Sequence, residues 1–211
     1  ITGWNEAESW TEQDLNAAVI HGERVWVFGD SGIVRFSEDS GETWQNHSNL
    51  GDADLISADS YENTMVVLST DGIIYMKDGL ESEWITTKNS SQKGMKSIAL
   101  AAEESLIIVG NEGAIWQYTN NDWYNRTTSF TENLHDVDFN GAEDGLAVGD
   151  AGTILATNNG GVTWDYRESP DPESSIVSVS YFNPYRMFAV SDSGQIIYST
   201  SPGGFEWQLR E

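Results

Sequence analysis

L-N-A-A-V-I-H-G-E-R-V-W-V-F-G-D-S-G-I-V-R-F-S-E-D-S-G-E-T-W, residues 15–44, contains one complete structural unit. An apolar stretch (17–20) leads into V-W-V-F-G-D (25–30), a turn follows, G-I-V-R-F (32–36) comes next, and an octet closes on Trp44. The opening glycine of the third run returns at Gly32, Gly72, Gly113, Gly152 and Gly194, in steps of 40, 41, 39 and 42 residues. The closing tryptophan returns at Trp44, Trp84, Trp123, Trp164 and Trp207, in steps of 40, 39, 41 and 43. The apolar runs are short and rich in Val, Ile, Phe and Tyr, and no long segment has a 3.6-residue period, so they read as strands. Between second and third runs stand D-S-G (30–32), T-D-G (70–72), N-E-G (111–113), D-A-G (150–152) and D-S-G (192–194). Asp or Asn can bond back to the turn backbone and Gly takes positive φ, which makes these hairpin tips.

A fixed period near forty with four short strands per unit predicts an all-β, five-bladed β-propeller of four-stranded antiparallel blades. The expected organisation is a single domain over 1–211, with repeats at about 15–54, 55–94, 95–133, 134–175 and 176–211. Residues 1–14 would add an N-terminal strand as closure or edge cap. Tryptophan suits the gap between blades: burying ~150–250 Å² of indole is worth roughly 4–6 kcal/mol as an upper bound. Trp44, Trp84, Trp123, Trp164 and Trp207 are therefore expected to be structural, and Trp164→Ala should destabilise the fold. Two segments compete as the last fourth strand, E-S-W-T-E-Q (8–13) and E-W-Q-L-R (206–210). Either Trp10 caps an edge, or one of the two closes the ring.

Acidic residues outnumber basic ones 34 to 10, for a net charge of −24 and a pI near 4.1. Phosphate backbones and anionic membranes would repel such a chain, which argues against nucleic-acid binding. Acidity of this kind solvates proteins in saline or marine settings, and an exported or particle-associated location is the expectation. The alternative is an acidic face for a basic partner or divalent cations. With no cysteine, disulfides and thiol catalysis are excluded. No apolar run approaches the ~18 residues of a membrane span, so no direct insertion is expected. The chain starts at Ile1 rather than Met, which leaves a removed leader open.

The octet S-E-D-S-G-E-T-W (37–44) matches S/T-x-D/N-x-G-x-T-W at every defined position, and T-N-N-G-G-V-T-W (157–164) does so with Asn159 in the Asp place. This is the Asp-box. It implies structural roles for Ser37, Asp39, Gly41, Thr43 and Trp44, and for Thr157, Asn159, Gly161, Thr163 and Trp164. The other three units keep only fragments of it. The chain resembles the Asp-box (bacterial neuraminidase repeat) propellers, and among them the photosystem II stability/assembly factor-like family. That resemblance rests on the rhythm of L-H-D-V-D-F-N-G-A-E-D-G-L-A-V-G-D-A-G-T-I-L-A-T-N-N-G-G-V-T-W (134–164). It implies a non-enzymatic scaffold that docks onto membrane-protein subunits during assembly. Two departures stand out: five units where photosynthetic members have seven, and scattered arginines instead of an arginine-rich patch.

Asp-boxes also occur in sialidases and other glycoside hydrolases, so hydrolysis is the rival. The arginine cluster and F/Y-R-I-P segment of a sialidase are missing. Two carboxylates ~5–10 Å apart are the general requirement, and Asp52, Asp54, Asp136 and Asp138 are the candidates, with loop solvation and turn capping as the plainer reading. His21, His47 and His135 have no zinc-site spacing. The tip residues Asp30, Asp71, Asp150 and Asp192, with Glu112 or Asn111, would ring one face and could hold Ca²⁺ weakly, although turn chemistry explains them. The N-x-S/T sequons at Asn46, Asn89 and Asn125 carry no weight alone.

No cofactor is expected. The leading reading is a rigid protein-binding face made of hairpin tips and inter-blade loops (46–54, 86–94, 125–133, 165–175). Departures from the repeat are where specificity is built. The least repeat-like stretch is Pro170–Ser175, with Tyr181, Phe182 and Tyr185 nearby, so Tyr185, Arg186, Asp30, Asp150 and Asp192 are the candidate contacts. The runner-up is a structural or adhesive component of a virion or cell surface. A glycan binder comes third, for which Trp4, Trp26 and Trp116 are the spare aromatics.

Overall fold

A computed structural model describes residues 11–88 and 94–210. Trp4, Trp10, Asn89 and part of the 86–94 loop lie outside the described residues, as do residues 8–10 of the 8–13 segment. The fold class is the five-bladed β-propeller, each blade a four-stranded antiparallel sheet in sequential order. Three short 3₁₀ turns are its only helical elements among the described residues. The chain divides into two compact units, Ile1–Lys88 and Asn89–Glu211.

The first unit holds blade 1, made of β1 (Leu15–His21), β2 (Arg24–Gly29), β3 (Val34–Ser37) and β4 (Gln45–Asn46), and blade 2, made of β5 (Leu55–Tyr61), β6 (Thr64–Ser69), β7 (Ile73–Asp78) and β8 (Ile85–Lys88). The second unit begins with blade 3: β9 (Met95–Ala102), β10 (Ser105–Gly110), β11 (Ile115–Thr119) and β12 (Asp122–Asn125). Blade 4 follows with β13 (Leu134–Asn140), β14 (Asp144–Gly149), β15 (Ile154–Asn158) and β16 (Asp165–Arg167). Blade 5 is β17 (Ile176–Asn183), β18 (Arg186–Ser191), β19 (Ile196–Ser199) and β20 (Gln208–Leu209).

Strand side chains alternate between two faces. We call the face of Trp26 and Phe28 the A face and that of Val25 and Val27 the B face, and carry the labels through the repeats. The core consists of layers between blades. Trp26, Phe28 and Val34 on the A face of blade 1 meet Met65 and Val67 on the B face of blade 2. Ile107 and Val109 of blade 3 meet Ala147 and Leu155 of blade 4. Leu146 and Val148 of blade 4 meet Met187, Ala189 and Ile197 of blade 5. Each layer removes both contributing faces from water, so no single repeat can bury its own core.

Trp164 and Trp207 lie within such layers and are buried. Trp84 stands edge-on to Trp26 and Phe28 but keeps part of its surface exposed. Trp44 and Trp123 are also only half-buried. For Trp123 the local reason is a different turn. Its unit lacks the octet, Asn120 and Asn121 both take positive φ, and the indole pairs with Tyr118 across β11 and β12 at 5.0 Å.

The tip glycines do more than permit positive φ. A Cβ on Gly32 would stand 2.3 Å from the Gly51 carbonyl oxygen, and one on Gly113 2.1 Å from that of Phe130. The inter-blade loop lies directly over the tip, and only glycine leaves room for it.

Candidate functional site

The octets are self-contained turns. The Ser37 hydroxyl donates to Asp39 (2.7 Å) and accepts from the Gly41 N–H (2.8 Å), while Asp39 accepts from the Thr43 N–H (2.8 Å) and hydroxyl (2.5 Å). These bonds, chiefly those from Thr43 and then Ser37, hold the Asp39 carboxyl down to about 2. In the second octet Asn159 accepts from the Thr163 N–H and donates to its hydroxyl, Thr157 accepts from the Gly161 N–H, and the Trp164 indole donates to the Gly161 carbonyl at 3.1 Å. Every polar atom invoked here serves its own turn.

In the second unit, a polar chain that the repeat pattern did not announce runs from the first strand of blade 3 through the first strand and hairpin tip of blade 4 to the loop before β17. Lys96 Nζ lies 3.0 Å from His135 Nδ1, and His135 Nε2 lies 2.5 Å from Asp150 Oδ1. The ammonium can only donate, so Nδ1 accepts and Nε2 carries the proton that is given to Asp150. Asp150 also accepts from Asn133 (2.8 Å) and the Ser175 hydroxyl (3.0 Å), and the His135 bond, ahead of these two, lowers its carboxyl below the usual range. The Ser175 N–H in turn donates to Asp192 (3.1 Å). Both nitrogens of His135 are thus spent. No lone pair is left to act as a general base.

Three of the four candidate hydrolytic carboxylates, Asp54, Asp136 and Asp138, are occupied in the same way. Asp136 accepts from the Ser97 hydroxyl (2.8 Å), the Val137 N–H (3.0 Å), the Ser178 hydroxyl (2.8 Å) and the Val179 N–H (2.9 Å). Asp138, two residues on, accepts from the N–H groups of Phe139 (2.8 Å) and Tyr181 (2.7 Å). The pair bonds alternate N–H groups on the free edge of β17, where another strand's carbonyls would otherwise stand. Burial pushes the Asp138 carboxyl up, opposed by the Tyr181 and Phe139 bonds. In the first unit, Asp54 accepts from the Ser31 N–H at 3.0 Å, also across blades.

Within each unit the tip carboxylates serve separate turns. Asp30 accepts from Asn16, Asp71 from Ser69 within its own turn, and Asp150 and Asp192 meet only through Ser175. Among the described residues no group of three or more metal-ligating side chains forms, so the Ca²⁺ expectation gains no support.

The candidate contacts also separate. Asp192 follows the last residue of β18, whereas Tyr185 and Arg186 sit at its start, roughly 17–20 Å away along a six-residue strand. Tyr181 is buried in the layer between blades 4 and 5, and burial, followed by the Asp144 charge, raises its hydroxyl to about 12. Phe182 and Tyr185, by contrast, are 68% and 61% exposed at the β17–β18 turn. The turn is held by Asn140, which donates to the Phe182 carbonyl (2.7 Å), and by Asn183, which accepts from the Tyr185 N–H (2.9 Å). Pro170 lines an open cavity of about 340 Å³ with Phe205 and Trp207, and the Arg167 guanidinium lies 4.5 Å over the Phe205 ring. The aromatic turn was legible in sequence as a departure from the repeat; the burial of Tyr181 was not, since it depends on which strand face meets blade 4.

Residues 115–211 match the model of a family described as the photosynthesis system II assembly factor YCF48. Among solved structures, YCF48 bound to D1 peptide is 16% identical, with a TM-score of 0.51 over 95% of this chain and 83% of that one. YCF48 from Cyanidioschyzon merolae is 13% identical, with a TM-score of 0.62 over 98% and 88%. The GH74 enzyme of Niastella koreensis is 14% identical, with a TM-score of 0.76 over 93% of this chain but 30% of that one. No curated protein matches the chain. At such identities these likenesses establish the frame, which peptide-binding proteins and enzymes share. The chain is a five-bladed propeller similar to the photosystem II assembly factor YCF48 family, with the family's sequence pattern carried by residues 115–211.

Proposed function

We propose that the chain is a protein-binding propeller of the photosystem II assembly factor-like kind, and that the β17–β18 turn of blade 5 contacts the partner. The observation that carries this reading is the pair of exposed aromatics, Phe182 and Tyr185, on a turn whose backbone is hydrogen-bonded in place. Rigid aromatics beside an arginine are the residue types that dominate binding energy at interfaces. Arg186 supplies the arginine. A non-catalytic role is supported by Asp136 and His135, whose hydrogen-bonding capacity is consumed inside the fold.

A solved YCF48 binds a D1 peptide, so synthetic peptides tiled along D1 are the first ligands to titrate by calorimetry. A binding peptide should lose at least about tenfold in affinity, roughly 1.4 kcal/mol, on Tyr185→Ala with unchanged melting temperature. Undiminished binding by both Tyr185→Ala and Phe182→Ala would remove this turn from the interface. Absence of binding by any D1 peptide would remove the photosystem partner.

A further inference from the structure

The turn between β19 and β20 departs from the octet, and the departure leaves two side chains without a structural task. Counting back from the closing tryptophan, Glu206 and Phe205 stand where Thr163 and Val162 stand in blade 4. There the Thr163 N–H and hydroxyl are both bonded to Asn159. In blade 5 the Ser201 hydroxyl accepts from the Glu206 N–H at 2.8 Å. The turn backbone is thus held without the Glu206 carboxylate, which meets no donor among the described residues. Phe205 is 66% exposed, against 7% for Trp207 two residues on.

Phe205 faces blade 4. The guanidinium of Arg167, on β16, lies 4.5 Å from its ring centroid, and Trp207 packs in the layer between blades 4 and 5. Both walls of the cavity of about 340 Å³ therefore belong to one unit: residues 168–170, after β16, and residues 205–208 of blade 5. One boundary earlier the chain supplies its own cover. Phe130, in the loop after β12, stacks on Tyr166 of blade 4 at 5.1 Å and 17°. The loop after β16 has no aromatic residue, and Leu209 holds the register position of Tyr166.

We propose that this cavity receives an arginine side chain from a partner polypeptide, with its guanidinium against the Phe205 ring and bonded to the Glu168 and Glu206 carboxylates. Aromatic rings attract cations to their faces, and this ring already holds Arg167. Neither carboxylate is paired with a cation among the described residues, and the two outweigh the single charge of Arg167. The net charge of −24 draws basic segments towards the chain. A guanidinium suits the site better than an ammonium, because it is planar, stacks on rings and donates to carboxylates as a fork. Ligand clefts span roughly 300–1,000 Å³, so a cavity of about 340 Å³ fits one long side chain. The site does not depend on the β17–β18 turn.

Titrating the whole chain with acetyl-Gly-Arg-Gly-amide, followed by amide NMR, tests the assignment. Expected are shifts confined to the backbone around 168–170 and 205–208, with millimolar affinity. The citrulline peptide keeps the shape and loses the charge, and should bind at least about tenfold more weakly. The lysine peptide should bind several-fold more weakly. Phe205→Leu, at an exposed position, should keep the parent melting temperature and lose about tenfold in affinity. Glu168→Gln repeats the test should Phe205→Leu fail to fold. No shift at these residues, shifts spread over the acidic surface, equal binding of the lysine or citrulline peptide, or parental affinity in both variants would overturn the proposal. Tyr185→Ala should leave the titration unchanged, which keeps this result separate from that of D1 peptide binding.

Discussion

Replacing Asp136 with alanine tests whether the carboxylates of β13 are fasteners or catalysts. The substitution removes an acceptor from four donors, the Ser97 and Ser178 hydroxyls and the Val137 and Val179 N–H groups. The exposed Ser178 hydroxyl can turn to water, whereas Ser97 is buried. The N–H of buried Val179 cannot do so easily, and an unsatisfied buried donor costs about 1–3 kcal/mol. With the charge-assisted bonds to the hydroxyls added, the loss should total about 2–4 kcal/mol, towards the lower end because Asp136 is half-buried. Asp136→Asn keeps one acceptor oxygen and should recover about half of that. Urea unfolding followed by circular dichroism measures both, with the midpoint moving and the slope preserved. The reasoning is refuted if Asp136→Ala stays within about 0.5 kcal/mol of the parent. A glycosidase would show the opposite pattern, with stability kept and hydrolysis of aryl glycosides lost.

Trp164→Ala deletes a buried indole that contacts Phe139 edge-on at 6.1 Å and donates to the Gly161 carbonyl, so about 3–5 kcal/mol should be lost in the same unfolding assay. The Asp39 carboxyl, held down to about 2, contributes stability that is present above the ordinary carboxylate value and fades as pH falls through about 2. Carboxyl-carbon NMR should therefore give Asp39 a midpoint near 2, and a midpoint at the ordinary carboxylate value would show that the Thr43 and Ser37 bonds do not persist in solution.

Much of the fold was legible because the repeat is written in local chemistry. A tip such as D-S-G states its turn in three residues, and the octet at 37–44 encloses its own hydrogen bonds, so neither needs a distant neighbour. Strand number, strand order and the five-blade count follow from that rhythm, and the exposed turn at Phe182 and Tyr185 was visible as a break in it. Other features arise between repeats. Asp136 and Asp138 look like any acidic pair in sequence, and their partners, Val179 and Tyr181, lie about forty residues away in the next blade. His135 gained its role from Lys96 on β9 and Asp150 at the tip after β14, which approach it from separate elements.

The unit, its turns and its alternating faces were already written in the chain, since they depend on backbone preference and the period-two geometry of a strand. Which apolar face becomes core and which becomes surface was settled in three dimensions. Tyr181 and Phe182 are neighbouring aromatics in β17, yet Tyr181 packs between blades 4 and 5 while Phe182 is exposed, because burial belongs to the pair of faces that meet and not to either residue.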